Sequence, residues 1–314
     1  MTFDNIVGQS RAKEKVNYYL EAYKAGKPFP TTLFAGQTGG GKTALATACG
    51  KTLKELSGNK KRFLTINASA IKSLRYFIES IVIPHVHDKD VTMLFDEASE
   101  LDNDTTMALL TILNPNDENR TSYPYGDAIF DFDFTRQTFL FATSEPQDIF
   151  SALMKRFRRI DLEEYTNEDL IKILIKKLPG IEFKDDILTE AATVLRQNPR
   201  QTILLAQDIS TYLAFKGNKT SFGKEDWAEI KRRLDILPLG LSRTEIRLLE
   251  ILSQKRDLSL TRIGAALNLT ADAVRRDYEL YLQRLGLIEI GIGSKRNISG
   301  AGMEYLRNLR LVQT

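Results

Sequence analysis

Two stretches of this 314-residue chain hold side chains whose types and spacing suit chemistry on a phosphate. In "GQTGGGKT" (36–43), Gly36, Gly41, Lys42 and Thr43 fall in the spacing G-x-x-x-x-G-K-[ST]. Glycines let backbone N–H groups turn inward around phosphates, and the N-terminus of a following helix adds the positive end of its dipole. Lys42 is then placed to reach the β- and γ-phosphates and the Thr43 hydroxyl to ligate Mg²⁺. Gly39, Gly40 and Ala44 complete the nucleotide-contacting set. The second stretch, "VTMLFDEAS" (91–99), is an apolar run ending in Asp96-Glu97. Asp96 would hold Mg²⁺ through water, and Glu97 would orient and polarise an attacking water. Taken singly, a glycine-rich octapeptide also describes a flexible turn, and a terminal acid pair also describes a solvated strand end. In this order they point to ATP hydrolysis, because Glu97 favours water over a small acceptor.

These groups need a scaffold that brings residues 36–43 beside residues 96–97. The runs "TTLFAG" (31–36), "FLTIN" (63–67), "VTMLF" (91–95) and "QTFLFAT" (137–143) are short, β-branched or aromatic, and bounded by polar residues or glycine. Such runs read as buried strands, and the helical patterns between them indicate a parallel sheet covered on both faces, an α/β fold. After Tyr165 the strands stop. Four segments with apolar residues at three and four spacing predict a small helical bundle. "LPLGLS" (237–242), with Pro238 and Gly240, reads as a linker. Three more helices, two short strands around a Gly-rich turn in "LIEIGIGSKRNIS", and a last helix follow. That is the order of a winged helix-turn-helix. The expected division is a large nucleotide-binding domain over 1–164, a helical lid over 165–238 and a winged-helix DNA-binding domain over 239–314.

Composition narrows the class. No run approaches the roughly 20 apolar residues of a membrane helix, and the N-terminus lacks a basic region followed by an apolar stretch. Cys49 is the single cysteine and there are 2 histidines, so neither a disulfide nor a zinc cluster is expected. A cytoplasmic setting is the expectation. The net charge is only +3, but residues 240–314 carry 12 Lys and Arg against 8 Asp and Glu. The basic excess therefore sits in the last segment, which favours a polyanionic partner there. Within it, "GSKR" (293–296) forms a glycine-hinged cationic tip, and Lys295 and Arg296 are the candidate DNA contacts. Arg276 on the preceding helix is a further candidate, although Asp272, Asp277 and Glu279 surround it and a salt-bridged solvated face fits equally well.

A resemblance carries the reading further. "FDNIVGQSRAKEKV", the phosphate loop, "LFDEAS", "FLFATSEP", "LMKRFRRIDLEEYTNEDL" and "NPRQTILLAQD" follow one another as in AAA+ ATPases. Within that superfamily the chain most resembles the RuvB family of Holliday-junction branch-migration motors. The similarity runs on through "LGLSRTEIRLLEIL" and "YELYLQRLGLIE" into the winged helix and covers nearly the whole chain.

The resemblance implies that Ile6 and Val7 line an adenine pocket, with Tyr165 on its lid side. Thr143 or Ser144, with Ser144 preferred, would be the polar sensor at a strand tip; Ser144 before Glu145-Pro146 also suits a turn. Arg156 in "KRF" would be an arginine finger reaching a neighbouring subunit's site, unless it belongs to a basic stripe with Lys155, Arg158 and Arg159. Pro199-Arg200 in "NPRQ" would be the second sensor. A cation at a helix start opposes the helix dipole and so suggests an anionic partner. The resemblance further implies ATP and Mg²⁺ as cofactors, a homo-hexameric ring, and docking of a RuvA-like junction-binding partner on residues 115–134. The chain departs from the family in three places. The loop interior Gln37-Thr38-Gly39-Gly40 lacks the usual proline, Ala98-Ser99 replaces Ile-His after Asp96-Glu97, and residues 115–134 have the docking hairpin's length without its sequence.

Two other readings share part of the pattern. An AAA+ loader or switch that places a replication protein on DNA would keep the loop, finger and sensors, but the winged helix favours the motor. A phosphotransferase would explain the loop and neither Asp96-Glu97 with Arg156 nor the winged helix.

Overall fold

A computed structural model describes residues 3–313, with side chains through residue 309. The outermost limits of the expected domains, residues 1 and 314, lie outside the described residues. Internal contacts separate the chain into two units, Met1–Pro179 with Gln197–Gln207, and Gly180–Arg196 with Asp208–Thr314.

Among its described residues the first unit contains seven strands: β1 (Thr32–Ala35), β2 (Arg62–Asn67), β3 (Val91–Asp96), β4 (Arg120–Tyr125), β5 (Ala128–Asp133), β6 (Gln137–Thr143) and β7 (Arg158–Asp161). Five form a sheet in the order β2-β3-β6-β1-β7, with every pairing parallel. Both faces are covered. Leu33, Met93, Phe95, Phe139 and Phe141 enter one core with the stretch Phe77–Val86 and the helix Asn103–Ile112. Phe34, Leu94, Leu140, Ala142 and Ile160 enter the other with the helices Ser10–Lys24 and Lys42–Leu56. Burial on two sides is why β3 and β6 read as unbroken apolar runs rather than alternating ones. The four expected strands are β1, β2, β3 and β6. The edge strand β7 went unread because, in "RRID", only Ile160 is apolar.

In the second unit, the two-residue strands β8 (Glu182–Phe183) and β9 (Ser221–Phe222) pair in parallel. The middle segment does hold four helices, Asn167–Lys177, Ile187–Val194, Pro199–Phe215 and Lys224–Leu234. They are shared between the units, however: Asn167–Lys177 and the start of Pro199–Phe215 belong with the sheet. The helices Arg243–Gln254 and Leu260–Leu267 and the helical stretch 271–284 precede β10 (Ile288–Gly291), β11 (Lys295–Ile298) and the helix Gly300–Gln313. β10 and β11 pair antiparallel as the wing. Ser242, Ser259 and Thr270 cap the three leading helices through their hydroxyls, so each start is written locally. The expected linker at 237–242 is packed instead. Leu237 and Leu241 are buried in the winged-helix core, because apolar side chains beside a Pro-Gly turn gain more from burial than the turn gains from freedom. Among the described residues no helix is long and apolar enough to cross a membrane.

Candidate functional site

The phosphate loop links the C-terminal end of β1 to the helix Lys42–Leu56. Gly41 caps that helix at φ 90° and Gly39 has φ 76°. Other residues adopt this left-handed backbone only with strain. Gly39 is also constrained by space, since a Cβ there would lie 2.4 Å from Asn198 Oδ1. Lys42 is buried, and its Nζ donates to the Gln37 carbonyl at 3.1 Å, folded onto its own loop. Burial lowers its pKa, and Glu97 and Asp96 oppose that shift. An ammonium held in poor solvent contact is one that a polyphosphate can stabilise.

Parallel register brings the acid pair to the same edge. β3 ends at Asp96, and the Thr43 hydroxyl donates to Asp96 Oδ1 and Oδ2 at 3.1 and 3.0 Å. A hydroxyl and a carboxylate are the hard oxygen ligands that Mg²⁺ takes. Among the described residues no cluster of three or more His, Cys, Asp or Glu could hold a metal. A cation held by Thr43 and Asp96 would need further oxygen ligands from phosphate or water. Glu97 follows in a left-handed conformation at φ 52°, and its carboxylate makes no hydrogen bond among the described residues. Such backbone in a non-glycine residue costs of order 1 kcal/mol or more, and it turns Glu97 off the strand direction.

At the tip of β6, Thr143 is fully buried. Its hydroxyl donates to Ser99 Oγ at 2.9 Å and accepts from the Glu145 N–H at 3.0 Å. Ser144, half-buried, makes no hydrogen bond among the described residues. Between the two expected sensor positions, Ser144 is the one with an uncommitted hydroxyl.

Asn198 and Pro199 start the helix that carries Arg200. Asn198 Oδ1 accepts from the Arg200 N–H, and Pro199 takes the first helical position, where a missing N–H costs nothing. Asn198 Nδ2 donates to the Thr38 carbonyl at 3.2 Å, and Gln37 Nε2 reaches the Gln197 carbonyl at 3.4 Å. This helix start thus seats on the phosphate loop, with the Arg200 side chain exposed. Tyr165 is buried, with its hydroxyl 3.0 Å from where a Cβ on Gly41 would stand. Burial raises its pKa. A cleft of about 790 Å³ beside the loop is lined by Ile6, Thr43, Ala44, Thr47 and Ala48 among others. Neither Val7 nor Tyr165 lines it; Tyr165 sits against the loop end instead.

Arg156 lies elsewhere. β7 pairs Arg158 with Thr32, at the start of β1, whereas the loop leaves the far end of β1. Four strand residues span about 13 Å. Arg156 therefore sits at the edge of the sheet opposite its own loop. Its Nη1 donates to the Ala152 carbonyl, and its buried Nε has no partner among the described residues.

The wing corrects one expectation. Arg296 is 7% exposed and makes a bidentate pair with buried Glu279, Nε to Oε2 at 2.8 Å and Nη2 to Oε1 at 3.0 Å. On β11 alternate side chains face inward, and Arg296 takes the inward register opposite Ile290. It is a core ion pair and not a tip cation. Lys295 is half-buried with no partner among the described residues. Arg276 is exposed and paired with neighbouring Asp277 at 2.9 Å. The tip itself is Ile292-Gly293-Ser294.

Residues 115–134 do form a hairpin, β4 with β5. Phe130, Phe132 and Phe134 point inward to the sheet's core while Ile129 stands 67% exposed.

Two participants escaped sequence reasoning. Asn198 carried a usable signal, an Asn before Pro at a helix start. Glu279 carried none, because its partner lies 17 residues away across the wing.

Two protein-family models match the chain. The ATPase family associated with various cellular activities (AAA) matches residues 32–166, and the RuvB C-terminal winged helix domain matches residues 238–307. The chain is similar to the Holliday junction branch migration complex subunit RuvB of Rubrobacter xylanophilus, with 27% identity over 92% of this chain and 81% of that protein. It is similar to the same subunit from Pseudothermotoga lettingae, with 28% identity over 97% of this chain and 87% of that one. Among solved structures, the Thermotoga maritima RuvB Holliday junction branch migration motor superposes with a TM-score of 0.73 at 20% identity, covering 97% of this chain and 96% of that one. At that identity the match shows a shared fold.

Proposed function

We propose that this chain, a RuvB-like AAA+ ATPase, hydrolyses ATP within a ring of its own copies and moves duplex DNA at four-way junctions. The observation that carries the reading is the meeting of Thr43 and Asp96 at 3.0–3.1 Å beside the phosphate loop, in a chain that continues into a winged helix.

Loop N–H groups from Gly39 to Thr43 cradle the phosphates, and Lys42 swings from the Gln37 carbonyl to the β- and γ-oxygens. Thr43 and Asp96 would hold Mg²⁺, which, when bound, offsets phosphate charge. Glu97, turned off β3, accepts a proton from the attacking water. Ser144 directs its free hydroxyl at that water or the γ-phosphate. Arg200 reaches the γ-phosphate from the helix seated on the loop. The cleft beside the loop, with Ile6, Ala44 and Ala48 among polar neighbours on its wall, would take the base. Arg156 is too far from its own loop, so it serves the neighbouring copy's site, and this is why the active form is a ring, with six copies as the family's number. Lys295, and Arg276 beside it in role, would meet DNA phosphates. A RuvA-like partner would meet the outer face of the β4–β5 hairpin at Ile129. A cytoplasmic setting goes with this reading.

The test is migration of a synthetic four-way junction with ATP and with a non-hydrolysable analogue. ATP should resolve the junction into duplexes and the analogue should only bind. Turnover of ATP with no junction movement, and delivery of another protein to DNA instead, would replace the motor with a loader.

A further inference from the structure

We infer that Arg196 is a positioning residue that clamps the winged helix to the helix Ile187–Val194, so that the DNA-contacting domain and this part of the lid move as one body. The inference rests on the motor reading for its consequence and on geometry inside the second unit for its existence.

Arg196 follows that helix by two residues. Its Nη2 donates to Glu245 Oε1 at 2.8 Å and its Nη1 to Glu245 Oε2 at 3.3 Å. Glu245 is 0% exposed, in the first turn of the first winged-helix helix, where it also closes a capping box with Ser242. The Arg196 guanidinium carbon lies 3.6 Å from the ring centroid of Tyr281, on the third winged-helix helix. One side chain thus holds two of the domain's helices, one by a two-pronged ion pair and one by stacking.

The supposed linker is tied down beside it. The Tyr281 hydroxyl donates to the Leu239 carbonyl at 2.7 Å and the Tyr305 hydroxyl to the Pro238 carbonyl at 2.9 Å. A Cβ on Gly240, at φ 65°, would fall 2.2 Å from the Val194 carbonyl oxygen. The turn therefore packs directly on the helix end. Arg196 and Gln197 both have φ 55°. Two successive left-handed residues without glycine persist only where their surroundings hold them.

The next residues in the chain are the ones that sense the phosphate loop. The Gln197 carbonyl accepts from Gln37, and Asn198 donates to Thr38. A shift of the loop on nucleotide exchange is passed along the backbone to a residue fastened to the winged helix. A flexible tether there would dissipate that shift; a clamp delivers it to DNA.

The test uses the full chain and compares the parent with Arg196→Ala and Arg196→Lys. Cys49 is fully buried, so spin labels can be placed at exposed Thr193→Cys and Arg247→Cys, both in the second unit. The parent should give a narrow inter-label distance distribution. Arg196→Ala should broaden it while Arg196→Lys, which keeps the charge and loses the fork, falls between. Basal ATP turnover and DNA affinity should stay within about threefold of the parent, while junction steps per ATP fall at least fivefold in Arg196→Ala. An equally narrow distribution in Arg196→Ala refutes the clamp whether or not the protein is a motor. A broadened distribution with unchanged steps per ATP refutes its role in coupling. A parent that hydrolyses ATP and moves no junction would count against the motor reading and leave the label distances to judge the clamp.

Discussion

Lys295 and Arg296 are neighbours on one strand in different surroundings, the first half-buried and the second buried. Arg296 and Glu279 are 8% and 4% exposed as side chains. Removing one member of such a pair strands a buried charge, at a cost of about 3–5 kcal/mol. Arg296→Ala should therefore lower Tm sharply, whereas Lys295→Ala should change stability by less than about 0.5 kcal/mol. In DNA titrations across salt, Lys295→Ala should flatten the log K against log salt slope by about 1, equally for unrelated sequences. If Lys295→Ala leaves that slope unchanged, the wing is off the DNA path. At this scale the sequence was legible where a short motif names the chemistry: the loop glycines, Lys42 and Thr43 lie in one octapeptide, and Asp96 and Glu97 end one apolar run. It was illegible where a side chain's surroundings are set by a partner that no motif announces. Nothing in "GSKR" says that Glu279 waits beneath its arginine.

Strand and helix boundaries followed the same logic. β3 and β6 were plain because burial on both faces leaves unbroken apolar runs, while β7 was missed because a short edge strand can be mostly charged. In the β4–β5 hairpin Phe130, Phe132 and Phe134 alternate inward, and exposed Ile129 is the apolar residue out of step. One element carries a pH signature. Lys61, the residue before β2, is buried, and its Nζ donates to Thr138 Oγ1 at 2.8 Å. Burial pulls its pKa down to about 8, against Asp90 and Asp133. Below that pH both folded and unfolded chains carry the charge, and the folded state bears the full desolvation penalty. Between about pH 8 and 10.5 the unfolded chain keeps a proton that the folded one has lost, so stability rises with pH. Relative to Lys61→Met, the parent should gain up to about 3 kcal/mol across that window in denaturant titrations. Parallel profiles for the two proteins would show that Lys61 is solvated after all.

At the scale of the whole molecule, the proposed activity requires sites shared between copies. Arg156 stands about 13 Å or more from its own loop along β1, so it should act on a neighbour. Arginine fingers are worth about 10³ to 10⁵ in rate. Arg156→Ala should bind ATP with near-parental affinity and turn it over that much more slowly. Mixing it with Lys42→Ala protein should restore part of the activity, because intact fingers then face intact loops. Mixed rings that form and stay inactive at every ratio would place Arg156 outside the site.

The central claim is that bound ATP is hydrolysed at the Asp96-Glu97 edge and that this drives motion on DNA. ATP turnover by Glu97→Gln on junction DNA measures it most directly. Lys42, Thr43 and Asp96 remain in that variant, so ATP binding and ring assembly should persist. Turnover should fall by about 10² to 10⁴, and junction migration should stop with it, leaving ATP-bound rings on DNA. Hydrolysis at the parental rate would contradict the account.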